Sequence, residues 1–484
     1  MTDSNLVQLA YVKETTWGVT PTTPQMQVLR YTGESINFEI QTTASAEIVT
    51  DRQTTDLILT GARNSGGYNF ELSYKQHDDF FASALMSNWQ KTPEKSNGGV
   101  ADSVITAVTN STSTFTVVSG GTAFVFGHLA QFSGFGNATN NKVGKITSST
   151  ATAIVTNATL ADEAIPPGNA LIKVVGFEGA TGDISATSTG LHSAALDFTT
   201  LGILVGSLIK IGGSATGNRF ATAVLNDWAR VIAVTQNDIT LDHRPDGWTT
   251  DAGSGKAIRV FFGDTLSNGV TVISFTMEKG FLGQTVPNYL VFTGETVDQM
   301  SLQIQPGSVV SGSFTLMGKS ANAATTSPLD STPDAPKSGE VINAVSDVGM
   351  IAFNGSRVAG PNYIQRFEIT TSNNLRDRTA VSVFGLVGVG TGRLNVTGGL
   401  TTYFGDATIW NKLVNNENVS LAVVNVKNNQ AYAFQLPRVK LSGGTPNANA
   451  SDQDVVIEAN VVALKDTVLT QKTIIINRLD YVEV

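Results

Sequence analysis

Carboxylates are the reactive side chains that this sequence offers in pairs. Asp78 and Asp79 are adjacent, and Glu39 and Glu71 each lie in a short stretch of alternating apolar and polar residues. Two carboxylates that share a sheet face could be the acid and base of a glycoside hydrolase. The aromatic residues that would hold a sugar alternate onto the opposite face, however. Asp78 and Asp79 also have a simpler role, because acids are favoured in the first turn of a helix.

Other patterns of catalytic or cofactor-binding residues are missing from the sequence. There are no cysteines, which excludes disulfides, thiolate metal sites and cysteine nucleophiles. His77, His128, His192 and His243 are far apart and lack the spacing of a metal-binding pair. The one near match to a phosphate-binding loop has Ser313 where its first glycine is required. We therefore expect no enzyme, no metal and no cofactor.

The composition favours β-structure and argues against nucleic-acid binding. Only 15% of the 484 residues are charged, and the 47 glycines accompany many Ser, Thr and Asn residues, which suits strands and turns. The net charge is −9 and no cluster of Lys and Arg is present, whereas phosphate binding needs one. Residues 1–15 lack the features of a signal peptide, and no run approaches the roughly 18 apolar residues of a membrane span. Synthesis in the cytosol and no membrane association are expected.

A strand–arm–strand–helix pattern occurs once near each end of the chain. The first copy spans residues 36–74 and leads into a helix predicted over 78–89, and the second spans 364–399. Each copy opens with Phe-Glu-Ile, at Phe38–Ile40 and at Phe367–Ile369. A module that is repeated within one chain can build a ring with twice as many modules as chains.

The alternation in these strands predicts a sheet with one apolar and one polar face. Strand 36–41 places Ile36, Phe38 and Ile40 on one side, and strand 68–74 does the same with its aromatic residues. The predicted polar face, including comparable positions in later strands, carries Asn37, Glu39, Gln41, Asn69, Glu71, Ser73, Gln303, Gln305 and Glu368.

Two polar arms, residues 42–66 and 371–391, separate the paired strands. Each is too long for an ordinary connecting loop in a compact domain, so we expect that contact with a partner orders it. Their charged residues could form ion pairs with a neighbouring subunit: Glu47, Asp51, Arg52, Asp56, Arg63, Arg376, Asp377 and Arg378. Trp17, in an extended N-terminal segment, is a further anchor. It is expected to pack into its own domain, with a neighbouring subunit as the alternative.

Changes in composition and pattern along the sequence divide the chain into four parts. Residues 1–91 hold the first module, and residues 266–340 complete it and provide a linker. Residues 341–484 form the second module. Residues 92–265 are rich in Thr, Ser, Gly and Ala and contain an internal repeat, so we interpret them as an inserted block of two tandem small β-domains.

Several of these strings resemble the tail tube protein, or major tail protein, of long non-contractile-tailed (siphovirus-type) bacteriophages. They are ETTWGVTPTTP, TGESINFEIQTTASAEIVTDRQTTDLILTG, GGYNFELSY and HDDFFASALMSNW, followed by MEKGFLG and YLVFTGETVDQMSLQIQPGSVVSGSFTLMGKS. The resemblance is close over residues 8–90 and 272–320 and looser to the end of the chain. The block 92–265 departs from the compact form of the family.

The resemblance implies a mainly β fold, with a duplicated β-sandwich or barrel module, a short helix flanking each copy, and the inserted β-domains. It implies that subunits form stacked rings, and that two modules per chain make a homotrimer with pseudo-sixfold symmetry, with a hexameric ring as the alternative. The tape measure protein and DNA would pass through the lumen, and tail terminator and distal tail proteins would lie at the ends. The polar face would line that lumen, in the tail of a virion assembled in the bacterial cytoplasm.

Two other classes of function stay open at this point. A virion decoration or adhesin protein would bind a glycan or a cell-surface ligand through its β-domains. A carbohydrate-active enzyme is the third and weakest reading, because only the two glutamates favour it.

Overall fold

Two large β-sheets make up most of the molecule. The computed structural model describes residues 3–358, 362–446 and 451–484. Within these residues, 18 strands join into one sheet and 13 into another, and a two-stranded hairpin stands apart. The mainly β fold expected from the composition is confirmed.

The elements are as follows. Before the block lie β1 (Val7–Lys13), β2 (Gln27–Val28), β3 (Gly33–Glu34), β4 (Asn37–Ala44), β5 (Leu57–Glu71) and helix α1 (Asp78–Ala84). The block contains β6 (Glu94–Ser96), β7 (Ile105–Thr109), β8 (Thr114–Val117), β9 (His128–Ser133), β10 (Lys142–Ser149), β11 (Ala153–Thr156), β12 (Leu171–Glu178), β13 (Ser185–Ala186), β14 (Gly190–His192), β15 (Leu208–Ile211), β16 (Trp228–Val234), β17 (Asp238–Asp242) and β18 (Arg259–Phe261). After it come β19 (Asp264–Ser267), β20 (Ser274–Phe281), β21 (Asn288–Ile304), β22 (Ser311–Gly318), β23 (Ser320–Ala321), β24 (Val348–Phe353), β25 (Ser356–Arg357), β26 (Ile364–Ser372), β27 (Arg376–Arg378), β28 (Gly388–Gly390), β29 (Asn395–Tyr403), helix α2 (Thr408–Val414), β30 (Val419–Lys427), β31 (Gln430–Ser442), β32 (Val456–Ala463) and β33 (Ile475–Leu479). Short 3-10 turns lie at Ser4–Leu6, Gly121–Ala123, Ala138–Asn140, Phe198–Thr200 and Ala223–Leu225.

An antiparallel wall of eight strands runs through both modules of the larger sheet. Its order is β4, β5, β22, β21, β26, β29, β32 and β31. The first four strands belong to the first module and the last four to the second. The modules therefore meet where β21 pairs with β26, in the middle of the wall.

One apolar core lies behind this wall and is shared by both modules. Phe70, Phe314 and Tyr432 are buried in it, and the helix α1 adds Phe80 and Phe81. Phe70 and Phe314 stack with their ring centroids 4.9 Å apart. Burying a side chain of this size contributes about 2 kcal/mol, which holds the helix against the sheet.

The helix α1 is shorter than the predicted span of residues 78–89. It begins at Asp78 as expected but ends at Ala84, because Met86 takes a left-handed backbone conformation with φ of 47°. Phe81 and Leu85 are buried as their spacing predicts. Trp89, outside the helix, donates its indole N–H to the carbonyl of Asp78 at 3.0 Å.

The arms are hairpins and not the loops that the sequence predicts. The strands β4 and β5 continue far beyond the predicted segments, so that only residues 45–56 connect them. In the second arm, β27 and β28 form a small separate hairpin. Leu57, Ile58 and Leu59 form part of the longer hairpin. Their β-branched and apolar side chains favour strands, although a contiguous apolar run lacks the alternation that marks one.

The block forms one sheet with one core. The two sequence repeats are its two halves, and they join where β12 pairs with β18 from Gly176 to Glu178. The apolar side chains of the two halves share one cluster. A further cluster packs the block onto the second module, and it contains Leu129, Val175, Leu208, Trp228 and Phe261 from the block and Met350, Ala352, Val424, Ala433 and Leu479 from the module.

Candidate assembly surface

The eight-stranded wall has a continuous polar face on the side away from the core. Side chains alternate along each strand, so register and burial together assign the outward positions. Across the module junction, Gln303 lies opposite Glu368, and Ser301 lies opposite Thr370. The face comprises Asn37, Glu39, Gln41, Arg63, Asn69, Glu71, Ser301, Gln303, Ser311, Ser313, Arg366, Glu368, Thr370, Thr397, Thr401, Lys440, Glu458 and Asn460.

The structure places most of the predicted polar-face residues together. Asn37, Glu39, Gln41, Asn69, Glu71, Gln303 and Glu368 all lie on this face. Gln305 follows the end of β21 and accepts a hydrogen bond from Gln303 at 2.9 Å. Ser73 is an exception. It is only 1% exposed, because β5 ends at Glu71 and the chain turns inward to bridge with Val341.

Two cations on the polar face are neutralised by neighbouring acids. The Arg63 guanidinium donates to Glu39 at 2.9 Å, and Arg366 donates to Glu368 at 2.7 Å. The hydrogen bond from Arg63 lowers the pKa of the Glu39 carboxyl. Among the described residues, neither Glu71 nor Glu458 has an ion-pair partner within 4 Å. The centre of the face therefore offers no cluster of free positive charge to a phosphate.

The two glutamates that suggested a glycosidase are too far apart for that chemistry. Glu39 lies opposite Arg63 in the ladder, and Glu71 is eight residues farther along the same strand. At about 3.3 Å per residue this separates them by about 26 Å. Acid and base in glycosidases lie roughly 5–9.5 Å apart.

A serine, a histidine and an aspartate meet at a shallow cleft, but their geometry is not that of a nucleophilic triad. Ser420 Oγ lies 2.8 Å from Nε2 of His243, whose Nδ1 is 4.0 Å from Asp242. Arg230 donates to both carboxylate oxygens of that aspartate. The aspartate therefore does not orient the imidazole, as it must in a triad. Burial lowers the pKa of His243 to about 4, so the ring is neutral.

The arms expose apolar side chains that lack a covering within the described chain. Ile40 is 58% exposed, Leu57 64% and Leu59 52%, and Ile48 at the tip is fully exposed. Phe38 is half-buried and Ile40 exposed, although the sequence predicts both in the core; the hairpin leaves the body of the protein at this level. Exposed apolar patches of this kind mark contact surfaces.

The charged residues of the arms fall into two groups. Glu47, Asp51, Arg52, Asp56, Arg376 and Arg378 are exposed near the tips. Arg63 instead pairs within its own chain, with Glu39 and, at 3.7 Å, with Asp377 of the second arm. The second arm thus crosses onto the first module. Trp17 also lies against its own chain, where it donates to Thr296 Oγ1 at 3.3 Å.

A buried ionic network that the sequence does not reveal joins three parts of the chain. Arg478 donates to Asp78 at the start of α1 and to Asp264 at the block boundary. Lys173 of the block contacts Asp264 at 2.9 Å and Asp480 at 3.0 Å. Burial alone would raise the pKa of Asp480, but Lys75, Lys173 and Arg478 hold it at about 2. No local pattern could predict this network, because its members lie up to 400 residues apart in sequence.

Other residues of the polar face were missed although a signal for them existed. Ser311 and Ser313 alternate with Phe314 and its neighbours in SGSFTLMG, and Glu458 and Asn460 alternate with valine and alanine in VIEANVVA. The same period-two rule that identified Glu39 and Glu71 applies to both strings.

Comparison with protein families identifies the family of this chain. A family model described as phage tail tube protein matches the chain twice, over residues 4–227 and 236–463. The chain belongs to the phage tail tube protein family. The break between the matched segments, residues 228–235, contains β16 of the block, so the segments do not follow the boundary between the two sheets.

Family membership makes the chain a structural protein of a bacteriophage tail. The duplicated tube domain agrees with the two matched segments. A search of curated proteins gave no match. Neither helix in the described ranges has the length and apolar character of a membrane span.

Proposed function

We propose that three copies of this chain close into a ring, and that such rings stack into the hollow tail tube of a siphovirus-type phage, through which DNA is ejected. The eight-stranded wall, which runs without a break through both modules, carries this proposal. Each copy supplies two modules, so three copies give the six modules of a pseudo-sixfold ring. Synthesis takes place in the bacterial cytoplasm.

The dimensions of the wall suit this role. Three walls of eight strands make a barrel of 24 strands. At about 4.8 Å between strands, its circumference is at least about 115 Å and its diameter about 37 Å. Side chains on the inner face reduce the diameter of the channel by about 10 Å, whereas tilting of the strands increases the diameter of the barrel. A channel of that order admits a DNA duplex.

The chemistry of the polar face suits a lumen. Its arginines are paired with glutamates, and its remaining side chains are mostly amides, hydroxyls and free carboxylates. Such a surface repels or ignores phosphates, so DNA and the tape measure protein slide along it without being held. In this arrangement residues 1–91 and 266–340 form one tube module and residues 341–484 the other. Block 92–265 lies on the outside, and terminator and distal tail proteins cap the ends.

Reversing charge on the polar face tests the lumen assignment. The double variant E71K/E458K puts lysines at two exposed positions that have no ion-pair partner in the described chain. We expect tubes of normal appearance by electron microscopy, because neither side chain packs. DNA release from phage that carry the variant should slow markedly, because lysines repeated around the channel would attract phosphates.

The matched control is E71Q/E458Q, which removes the same charges without adding cations and should release DNA almost normally. Normal release from E71K/E458K phage with intact tubes would show that this face does not line the channel.

A further inference from the structure

We infer that neighbouring copies join through the outer edge of β3–β4 (residues 35–37) and the end of β31 (residues 440–442), by repeating the contact that joins the two modules within one chain. This inference rests on the proposed ring and specifies its closing contact. The contact inside the chain is the pairing of β21 with β26, six residues long, from Gln299 opposite Ser372 to Ile304 opposite Phe367.

The strands of the two modules correspond in order. An offset of 330 residues brings α1 (Asp78–Ala84) onto α2 (Thr408–Val414). The same offset brings buried Phe70 of β5 onto buried Leu400 of β29. It also relates Arg63 to Arg393, both located where an arm returns to the wall. Each of these two strands lies between an arm-bearing strand and the next strand of the wall.

The ladder registers then fix which residues correspond at the edges. Phe70 pairs with Gly312 of β22, which pairs with Leu302. Following the same steps from Leu400 through β32 to β31 makes Lys440 the counterpart of Gln299. On the other side, the registers of β26 with β29 and of β3 and β4 with β5 make Asn37 the counterpart of Ser372.

Both of these edges lack a partner strand in the described chain. On β31 the pairing with β30 ends at Val439, which leaves one side of residues 440–442 open. On the other edge, β3 and β4 pair only with β5. The two edges are complementary, because they correspond to the two strands that pair at the internal junction. The edge at residues 440–442 corresponds to β21, and the edge at residues 35–37 corresponds to β26. Copying the internal register places Asn37 of one copy opposite Lys440 of the next, and Ser35 opposite Ser442.

The free edge is protected before assembly. The backbone N–H of Ile36 donates to Glu34 Oε2 at 3.0 Å, and its carbonyl accepts from Lys279 Nζ at 3.1 Å. Proteins commonly cover exposed strand edges with charged side chains, because an open edge recruits other chains. On ring closure, the backbone of Leu441 from the next copy takes over these two hydrogen bonds.

Cysteine pairs test this contact, and the absence of native cysteines makes the result easy to read. The variant N37C/K440C is assembled into tubes, oxidised and run on a non-reducing denaturing gel. We expect covalent species of two and three chains and nothing larger, because a three-copy ring closes on itself. The matched control, Q299C/S372C, carries its cysteines at the internal counterpart of this pair and should migrate as a single chain.

A second pair, S35C/S442C, probes the same register and has Ser301 and Thr370 as its internal counterparts. Tubes in which neither pair forms a bond between chains would overturn the inference. A ladder that continues beyond three chains would support the contact but contradict the ring of three copies. If the unsubstituted protein forms no rings at all, the proposed function fails instead, so the two failures are distinguishable.

Discussion

Glu295, in β21, has a carboxyl group that is buried in the interior of the protein. It is fully buried beside Glu14, and neither of its carboxylate oxygens has a hydrogen-bond partner among the described residues. The amide of nearby Asn64 is committed to the carbonyl of Ser320 at 2.7 Å. Burial, and then the charge of Glu14, raises the pKa of Glu295 to about 8. The residue is therefore protonated in the folded chain at neutral pH.

This shift makes stability depend on pH above about 4.5. The unfolded chain loses the proton of Glu295 near pH 4.5, and the folded chain keeps it until about pH 8. Between these values the folded state binds more protons, so its stability falls as pH rises, by about 1.4 kcal/mol per pH unit. We expect E295Q, which cannot ionise, to remove this slope and to raise the Tm of the unassembled chain at pH 8.

Thermal unfolding at pH 5, 6.5 and 8 measures this effect. The control is E340Q, at a side chain that is 65% exposed, and it should leave the pH dependence unchanged. If E295Q unfolds with the same pH slope as the unsubstituted chain, Glu295 does not carry the buried proton.

The residues of the polar face can be predicted from the sequence, but the buried charged residues cannot. Asn37, Glu39 and Glu71 were predictable, because a half-buried strand imposes a period of two on its own residues. Glu295 and the network of Arg478 with Asp78 were not, since such contacts are made by folding distant segments together. The sequence of one strand does not indicate which distant residues pack against it.

At the level of elements, the first arm is the part of the fold that is incomplete in one chain. Its hairpin extends from the wall with apolar side chains exposed, among them Ile48, Leu57 and Ile58. A two-stranded hairpin alone is marginally stable in water. The second arm lies across the first module, where Asp377 meets Arg63. In the proposed ring, the same internal symmetry would place the first arm across the second module of the neighbouring copy, near Arg393.

Removing apolar contacts from the first arm should weaken assembly without weakening the fold. We expect L57S/L59S to unfold at nearly the same temperature as the unsubstituted chain, because exposed positions rarely matter by more than about 0.5 kcal/mol. The protein concentration needed for tube formation should rise by tenfold or more, since each buried leucine contributes about 1.5–3 kcal/mol. Light scattering over a concentration series measures this threshold.

The control V118S/V270S also removes two exposed apolar side chains, but from positions outside the arms. It should assemble at the ordinary concentration. An unchanged threshold for L57S/L59S would mean that the arm is not a contact surface between copies.

The elements themselves were only partly predictable. Both helices and the strands that flank the arms follow from periodicity. The joining of the two repeats into one sheet was missed, because pairing of β12 with β18 depends on backbone groups and leaves no pattern in side-chain types. The sequence predicts loops in the arms because their polar residues mask the strand-forming run at Leu57–Leu59.

At the scale of the whole molecule, the block packs on the rest of the chain and shares buried charges with it. Its apolar residues, among them Trp228 and Phe261, pack on the second module. Its Lys173 supplies a charge to the buried carboxylates of Asp264 and Asp480. Removing one partner of a buried ion pair typically costs about 3–5 kcal/mol. The block therefore contributes to the stability of the second module, on which it packs.

The number of chains in a ring is the central claim, and native mass spectrometry of the smallest closed assembly tests it most directly. Three copies of the 51.0 kDa chain give a ring of about 153 kDa, which is the expected mass. A ring of twice that mass would mean that six chains are needed and that the two modules do not act as two subunits. A mass of one chain at every concentration would contradict the ring itself.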